Sequence, residues 1–435
     1  MPDLLSLSSD IIDNARTDLP VNRVTQELSE LAPGIAMVES FSHVVAFATD
    51  DGLVVFDATS PLTARAALRA LRSWSDDRVD TIVYTHGHLD HVGGSPAFVE
   101  EAQGRDRAVP RVVAHEAVQA RFDRYRRTSG WNQAINQRQF GWIRGWGIGE
   151  TGPDGEPVPF LPDDVAEPDH TYTDHDVIEV GGLELHLHHA RGETDDHTWT
   201  WIPEHRAITS GDFLIWNFPN AGNPQKVQRY PVEWAAALRA MAAKEPELFL
   251  PAHGLPIAGR ERIGTVLTTV AGALERLVDD TVAMMNGGAT LDEIANTVVV
   301  PPEDLALPYL RPLYDEPGFV VRNIWRLYGG WWDGNPARLK PAPDADLAGV
   351  VAGLAGSAAD LAGRARELAD AGRLDLACHL AEWAFEAAPD DPGVRTAMAE
   401  IYQARHEAEA SLMAKGIYAS AAHRGESRGD LRLGT

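Results

Sequence analysis

The stretch that decides the fold reads Thr85-His86-Gly87-His88-Leu89-Asp90-His91-Val92-Gly93-Gly94. It directly follows the apolar run Ile82-Val83-Tyr84, which predicts a buried strand that ends where the histidines begin. Imidazole and carboxylate groups that can bind a metal thus lie close together on one loop, where a glycine permits close backbone approach. We interpret the stretch as a metal-binding loop that directs its first two histidines at one ion and Asp90 and His91 at a second. The alternative is a chance cluster of surface residues.

Composition limits the kind of metal site and the partners. The chain has 435 residues and one cysteine, Cys378, which excludes a disulfide framework and a thiolate-built zinc or iron–sulfur site. Its 38 Lys+Arg against 64 Asp+Glu give a formal net charge of −26, which argues against nucleic acid as a partner. The N-terminus has no basic region followed by an apolar one, and no run of about 18 apolar residues occurs. We therefore expect a soluble, cytoplasmic protein that does not bind a membrane.

The order of predicted elements indicates a mixed α/β layered fold. Residues 44–57 have the pattern of a β-hairpin with its turn at 50–52, and residues 64–74 have helical spacing. Short β-branched runs alternate with helical stretches to about residue 263, and a helix is predicted over 265–286.

Domain boundaries follow from the changes in this pattern. The Ala-rich end of the chain is predicted to be helical, and Gly372, Ala377, Ala384 and Pro389 have the spacing of one tetratricopeptide-type hairpin. The long insertion inside the catalytic region predicts a lid or pocket wall. The predicted parts are an N-terminal extension at 1–33, a catalytic domain at 34–264 with the insertion at 130–170, a helical segment at 265–340 and the Ala-rich region at 341–435.

The H-x-H-x-D-H motif of the loop, with a strand before it and glycines after it, resembles the metallo-β-lactamase superfamily. The resemblance implies an αββα sandwich and a dinuclear metal site that three later segments complete. Matching segments occur in the expected order: Ala190-Arg191-Gly192-Glu193-Thr194-Asp195-Asp196-His197, Thr209-Ser210-Gly211-Asp212-Phe213 and Leu250-Pro251-Ala252-His253-Gly254. The implied ligands are His86, His88 and Glu193 for one metal, Asp90, His91 and His253 for the other, and Asp212 between them.

One departure from the common pattern narrows the resemblance. Glu193 stands where many members have histidine. In having a glutamate at this position, the chain resembles the alkyl sulfatase branch, the type III sulfatases. Residues 309–314 and 321–336 resemble the helical dimerisation domain of that branch, and this implies an all-helical C-terminal dimerisation-like region and a homodimer. The branch also has a C-terminal sterol-carrier-like domain. The sequence shows no counterpart of it, so we expect a subgroup without that domain.

Candidate substrate-binding residues follow the bridging carboxylate or lie in the insertion. Asn220, Lys226, Arg229 and Arg138 could bind an anionic group such as sulfate, although surface salt bridges are an equal alternative for the charged ones. Phe140, where the family has tyrosine, and Trp216, together with Phe218 and Trp142, could line an apolar channel. His197 is a candidate proton donor or a partner of a ligand. His186 and His188 share one strand face, and we expect them to pack rather than to bind metal.

The resulting hypothesis is a metal-dependent hydrolase that cleaves a sulfate ester of an alkyl or aryl alcohol with metal-activated water. Asp90 would orient the water, and the substrate would be a small anionic molecule with an apolar part. The cofactors would be two divalent metal ions, with zinc favoured and iron or manganese plausible because the carboxylate ligands are hard. The alternatives are hydrolysis of a lactone, thioester or phosphodiester at the same site, or a dinuclear iron oxidase or oxygenase.

Overall fold

A computed structural model describes residues 3–141 and 158–426. Trp142 and the middle of the predicted insertion lie outside the described residues. The chain divides into two compact units. The first unit comprises 1–129, 159–289 and 293–328, and the second comprises 130–158, 290–292 and 329–435. The predicted N-terminal extension and most of the predicted 265–340 segment therefore belong to the first unit.

The first unit contains two β-sheets. The seven strands of the first sheet lie in sequence order: β1 (Leu28–Ala32), β2 (Ile35–Val38), β3 (Val44–Thr49), β4 (Gly52–Phe56), β5 (Val79–Val83), β6 (Arg111–His115) and β7 (His170–Tyr172). The second sheet has the order β13-β12-β11-β10-β9-β8, with β8 (His175–Val180), β9 (Leu183–His189), β10 (Thr198–Ile202), β11 (Ala207–Gly211), β12 (Leu248–Pro251) and β13 (Ile257–Ala258).

Helices flank these sheets and form most of the second unit. In chain order they are α1 (Leu4–Asp13), α2 (Ala64–Trp74), α3 (Leu89–Val92), α4 (Ser95–Gly104), α5 (Ala117–Arg127), α6 (Ser129–Phe140), α7 (Pro231–Ala243), α8 (Arg260–Asn286), α9 (Leu291–Ala295), α10 (Pro302–Leu305), α11 (Pro317–Gly329), α12 (Asp344–Ala355), α13 (Ala358–Asp370), α14 (Leu374–Ala387), α15 (Pro392–Ala408) and α16 (Leu412–Glu426).

Strand alternation explains the layers of the first unit. In β3, Val45 and Phe47 enter the core shared with the second sheet, whereas Val44 and Ala46 enter a separate core beneath α2, α4 and α5. Because successive side chains of a strand point to opposite faces, one sheet serves both cores. Helices α7 and α8 contribute Trp234 and other apolar residues to the same apolar cluster as the second sheet. The predicted α/β sandwich followed by helices is confirmed.

Two predicted element boundaries were wrong. Helix α8 begins at Arg260 instead of 265, because Gly259 turns the chain and its carbonyl accepts from the N–H of Ile263. The predicted insertion loop begins with a helix, α6, in which Asn132, Ile135 and Asn136 are buried at helical spacing. The hairpin over 44–57 and the helix over 64–74 are confirmed.

The second unit packs small residues between its helices. Ala377 and Ala384 of α14 are fully buried, and Gly372, at φ +76°, makes the turn between α13 and α14. This is the packing that the tetratricopeptide-type spacing predicts, and α12, α15 and α16 extend it. Among residues 3–141 and 158–426, no single helix is long and apolar enough to cross a membrane, and one bent pair, α12 with α13, reaches those limits only together.

Candidate metal centre

The loops that follow four strands supply all seven predicted ligands. Strand β5 leads into the loop of His86 and His88, and β9 leads into the segment of Glu193. Asp212 and His253 follow β11 and β12, which are parallel neighbours in the second sheet. Carboxyl ends of adjacent parallel strands meet at one edge, so these two residues are brought together by the pairing alone.

The first group contains His86, His88, Glu193 and Asp212. One ligand atom from each lies within 4.8 Å of those of the others, which is close enough for one ion. His88 Nδ1 is 3.7 Å from Glu193 Oε1, and His86 Nε2 is 3.9 Å from Asp212 Oδ2. Imidazole and carboxylate groups of this kind suit zinc, iron or manganese.

The second group contains Asp90, His91 and His253, whose ligand atoms also lie within 4.8 Å of one another. Asp90 Oδ2 is 3.5 Å from His91 Nε2 and 3.4 Å from His253 Nε2. Asp212 Oδ1 is 3.4 Å and 3.5 Å from the same two imidazole nitrogens. Asp212 therefore directs one oxygen toward each group, which is the arrangement that a bridging ligand requires.

Unpartnered polar atoms test whether metal ions fit these residues. His91 Nε2, Glu193 Oε2 and Asp212 Oδ1 are buried and have no hydrogen-bond partner among the described residues. A buried polar atom without a partner is costly, and all three of these atoms belong to residues of the two groups. A pair of divalent cations would satisfy these atoms and balance the carboxylates, so the residues fit such a centre.

The pKa values of two carboxyl groups in the centre are shifted in opposite directions. Burial raises the pKa of Glu193 to about 8, an effect that Arg229 reduces and Asp212 increases. Burial would also raise the pKa of Asp212, but the imidazoles of His253 and His91 hold it well below its usual range. Two interacting carboxyl groups with opposite shifts indicate a site that lacks positive charge.

Asp57 fixes the orientation of His91. Its Oδ2 is 2.7 Å from His91 Nδ1 and accepts from the hydroxyl of Thr85 at 2.8 Å. With Nδ1 donating to this carboxylate, Nε2 is the nitrogen free to bind a metal, and such carboxylate partners typically orient metal-binding histidines. Asp57 directly follows β4 and was not a predicted site residue. An aspartate at the end of a predicted strand was the sequence signal that could have identified Asp57.

A buried ion pair supports the backbone of the histidine loop. Asp196 Oδ2 accepts from Arg121 Nε at 2.7 Å and from the N–H of Gly87 at 3.0 Å. A side chain at Gly87 would place its Cβ 2.8 Å from Arg121 Cδ, so glycine is required for this approach. Arg121 also pairs with Asp195. The pair therefore fixes the backbone between His86 and His88.

The sequence left two roles open for His197, a proton donor or a partner of a ligand, and its contacts favour the second. The His197 ring is buried, and its Nε2 accepts from the N–H of Asp212 at 3.1 Å. Burial lowers the pKa of His197 to about 3, which favours the neutral ring that accepts from this N–H. His197 thus holds the backbone of the residue between the two groups.

The predicted substrate-binding residues divide into three sets. Asn220 and Arg229 both bind Glu193: Asn220 Nδ2 donates to Oε1, and Arg229 Nη1 lies 2.9 Å from the same oxygen. Lys226 is partly buried, and burial together with the charge of Arg229 lowers its pKa to about 7. Arg138 and Phe140 belong to α6, nearly all of which lies in the second unit, and their predicted role stays a prediction.

Trp216 does not line an open channel as we predicted. Its side chain is fully buried, its Nε1 donates to the carbonyl of Leu255, and its ring packs against Gly254. His43 Nε2 donates to the carbonyl of Gly254 at 2.7 Å. Both residues thus support the loop of His253.

Tyr314 was not a predicted site residue. Burial raises the pKa of the Tyr314 phenol, and the charges of Glu193 and Asp90 raise it further. Tyr314 lies in a segment used only for the family resemblance.

The sequence predicted His188 to be a packing residue. His188 stacks on Trp199 with ring centroids 4.1 Å apart.

Two sheets that carry His, Asp and Glu at the ends of their strands define a class of metal-binding sandwich folds. Residues 38–253 match the family model of the metallo-beta-lactamase superfamily, and residues 290–428 match that of alkyl sulfatase dimerisation. The chain belongs to the metallo-beta-lactamase superfamily and carries an alkyl sulfatase dimerisation domain.

Curated relatives support this assignment. A linear primary-alkylsulfatase from Pseudomonas sp. is 30% identical over 316 residues, which cover 68% of this chain and 58% of the relative. An alkyl/aryl-sulfatase from Saccharomyces cerevisiae is 24% identical over 335 residues, or 71% of this chain and 49% of the relative. The chain therefore spans about half of the length of these relatives. The stereoselective inverting sec-alkylsulfatase Pisa1 from Pseudomonas sp. has the same fold, with a TM-score of 0.80 and 22% identity over 93% of this chain and 67% of Pisa1.

Proposed function

We propose that this protein is a metal-dependent hydrolase that cleaves sulfate esters of alkyl or aryl alcohols. The observation that carries the proposal is Asp212, whose two oxygens face two separate groups of metal-binding side chains. Zinc is the favoured metal, with iron or manganese as alternatives, and the similarity to alkylsulfatases supports the substrate class. Two divalent cations bound there would polarise the ester and would lower the pKa of a bound water molecule toward neutrality.

The protein's own residues would hold and orient the reactants. His86, His88 and Glu193 would bind one ion, Asp90, His91 and His253 the other, and Asp212 both. The carboxylate of Asp90 has its Oδ2 within 3.4 to 3.5 Å of two imidazoles and would accept a hydrogen bond from the attacking water.

Local positive charge would bind the sulfate group. The whole chain has a formal charge of −26, so an anionic ester is repelled at long range. Binding of such an ester therefore requires positive charge close to the site. Arg229 supplies a cationic side chain beside Glu193. Burial lowers the pKa of Lys226 to about 7, so Lys226 is cationic in only about half of the molecules at neutral pH. We retain Asn220, Arg138 and Phe140 as further candidates.

The proposal is tested by a substrate screen on protein of measured metal content. We expect sulfate release from alkyl or aryl sulfates, loss of that release after chelation, and recovery when zinc is returned. The reaction should proceed equally without oxygen, because hydrolysis needs no oxidant. Cleavage of a lactone, thioester or phosphodiester with no sulfate ester cleaved would overturn the substrate class. A strict need for oxygen and iron would instead support the oxidase or oxygenase alternative.

We also propose that the protein forms a homodimer through its dimerisation domain. In the second unit, α12 exposes Leu347, Val350 and Leu354 at helical spacing, with exposed fractions of 63% for Val350 and 84% for Leu354. Such an apolar stripe is costly to leave in water and is typical of a protein interface.

The Leu354→Asp variant should weaken the dimer by about 10- to 100-fold for each copy of the contact that is lost. Losing one buried leucine contact costs about 1.5 to 3 kcal/mol, and each 1.4 kcal/mol is tenfold in the dissociation constant. This factor applies to each copy of the contact, so a symmetric dimer that loses both copies should weaken by about 100- to 10,000-fold. Sedimentation over a concentration series measures this shift. Leu62→Asp, at an exposed leucine in the first unit, is the matched control and should leave the dimer unchanged. An unaltered dissociation constant in Leu354→Asp would place the interface elsewhere.

A further inference from the structure

The loop that follows Asp212 carries Asn220 and Arg229, and residues 311–326 fix this loop in place. The N–H of Phe218 donates to the carbonyl of Arg311 at 2.9 Å, and the N–H of Gly222 donates to Asp315 Oδ2 at 2.6 Å. The segment 311–326 lies within the region that matches the alkyl sulfatase dimerisation family. It belongs to the same compact unit as the metal-binding residues.

Asn323 of α11 connects residues 311–326 to the backbone of Arg229. Its side chain is 4% exposed, its Nδ2 donates to the carbonyl of Arg229 at 3.0 Å, and its Oδ1 accepts from the N–H of Arg229 at 3.4 Å. Gln228 Nε2 and Arg326 Nη2 donate to the same Oδ1 at 3.0 and 3.1 Å. One buried amide thus satisfies both backbone groups of Arg229, as a neighbouring strand would.

Arg229 in turn determines how Glu193 is presented. The guanidinium lies 2.9 Å from Glu193 Oε1 and donates to the backbone carbonyl of Glu193 as well. Two contacts to one residue fix both its backbone and its carboxylate. Oε1 is therefore engaged, whereas Oε2 is buried and finds no hydrogen-bond partner in the described part of the chain.

We propose that Asn323 is a positioning residue that, through Arg229, sets the affinity of the Glu193 group for its metal ion. The inference rests on the proposed function only in assuming that this group binds a metal. The hydrogen bonds of the Asn323 side chain go to Arg229, Gln228 and Arg326, so its effect on Glu193 is indirect. The effect should be local, because this chain of contacts leads to Glu193 and not to Asp90 or His253 of the second group.

The test compares Asn323→Asp with Asn286→Asp, the same chemical change at an exposed asparagine at the end of α8. Aspartate cannot donate to the Arg229 carbonyl, so the contact becomes repulsive. Zinc binding to metal-free protein is measured in competition with a coloured chelator. We expect one of the two zinc sites to weaken about tenfold in Asn323→Asp, at the lower end of the usual loss of about 10- to 100-fold for a direct partner of a metal ligand, and the other to stay unchanged.

A second variant keeps the inference testable if Asn323→Asp does not fold. Arg326→Gln removes only one donor to Asn323 Oδ1 at an exposed position, and it should weaken the same zinc site by less than about tenfold. If Asn323 has only a structural role, Asn323→Asp should lower the melting temperature and leave both zinc affinities at their wild-type values. Wild-type affinity at both sites in both variants would overturn the inference alone. Failure of the wild-type protein to bind zinc, iron or manganese would overturn the proposed function and the inference together.

Discussion

Replacing Asp212 with asparagine should abolish most of the activity and reduce the bound metal from two ions to one or none. The side chain keeps its shape but loses the charge that faces His86 on one side and His91 and His253 on the other. Changes at residues that merely support a ligand cost about 10- to 100-fold in metal affinity or activity, so loss of a shared ligand should exceed about 100-fold. Metal analysis and the rate of sulfate release from an alkyl sulfate measure the two effects.

The control for this variant is Asp280→Asn, at an exposed aspartate of α8. It should keep both metal ions and the wild-type rate. The far-ultraviolet circular dichroism of Asp212→Asn should match that of the wild type, because the backbone N–H of Asp212 still donates to His197. Full metal content in Asp212→Asn would contradict the bridging role.

Replacing Arg121 with methionine should lower the free energy of unfolding by about 3 to 5 kcal/mol, the usual cost of breaking a buried ion pair. Asp196 is fully buried, and without Arg121 its carboxylate keeps only the N–H of Gly87 and contacts within its own segment. Arg121 opposes the effect of burial and holds the pKa of Asp196 at about 2, compared with 3.8 for an ordinary aspartate.

Urea unfolding of Arg121→Met and of Arg127→Met measures this prediction. Arg127 lies on the same helix, α5, but is exposed, so its replacement should change stability by no more than about 0.5 kcal/mol. Because the pKa of Asp196 is depressed, the stability from the ion pair is present above pH 3.8 and is lost only as the pH falls toward 2. The difference between the two variants should therefore persist from neutral pH to about pH 5. Equal stability of both variants would show that Asp196 is neutralised in another way.

The sequence predicted the fold class and four members of the two groups from local patterns, and the family resemblance implied the other three members. His86, His88, Asp90 and His91 are neighbours in the chain, and a strand before a glycine-containing loop already limits where their side chains point. Glu193, Asp212 and His253 were placed by resemblance in chain order, each after a predicted strand. Elements with strong periodicity, such as the helix at 64–74, were also predicted to the residue.

The sequence did not specify the contacts of side chains that could turn toward more than one neighbour. Arg229 and Asn220 have the chemistry of sulfate ligands and stay candidates for that role, and both also contact Glu193. Trp216 has the chemistry of a channel residue, yet it is fully buried against Gly254. Composition specifies what a side chain can bind, whereas the packing of distant segments determines which partner lies within reach.

The sequence alone therefore determined which groups are available to hold metal ions and on which strand ends they lie. Only the tertiary structure decided that Asp57 and Arg121 hold the histidine loop and that Asn323 reaches Arg229 from α11. The physical reason is separation along the chain. Arg121 and Asp196 are 75 residues apart and Asn323 and Arg229 are 94 apart, so no local pattern encodes these contacts. They form because the sheets and α11 bury them together, where each polar group must find a partner.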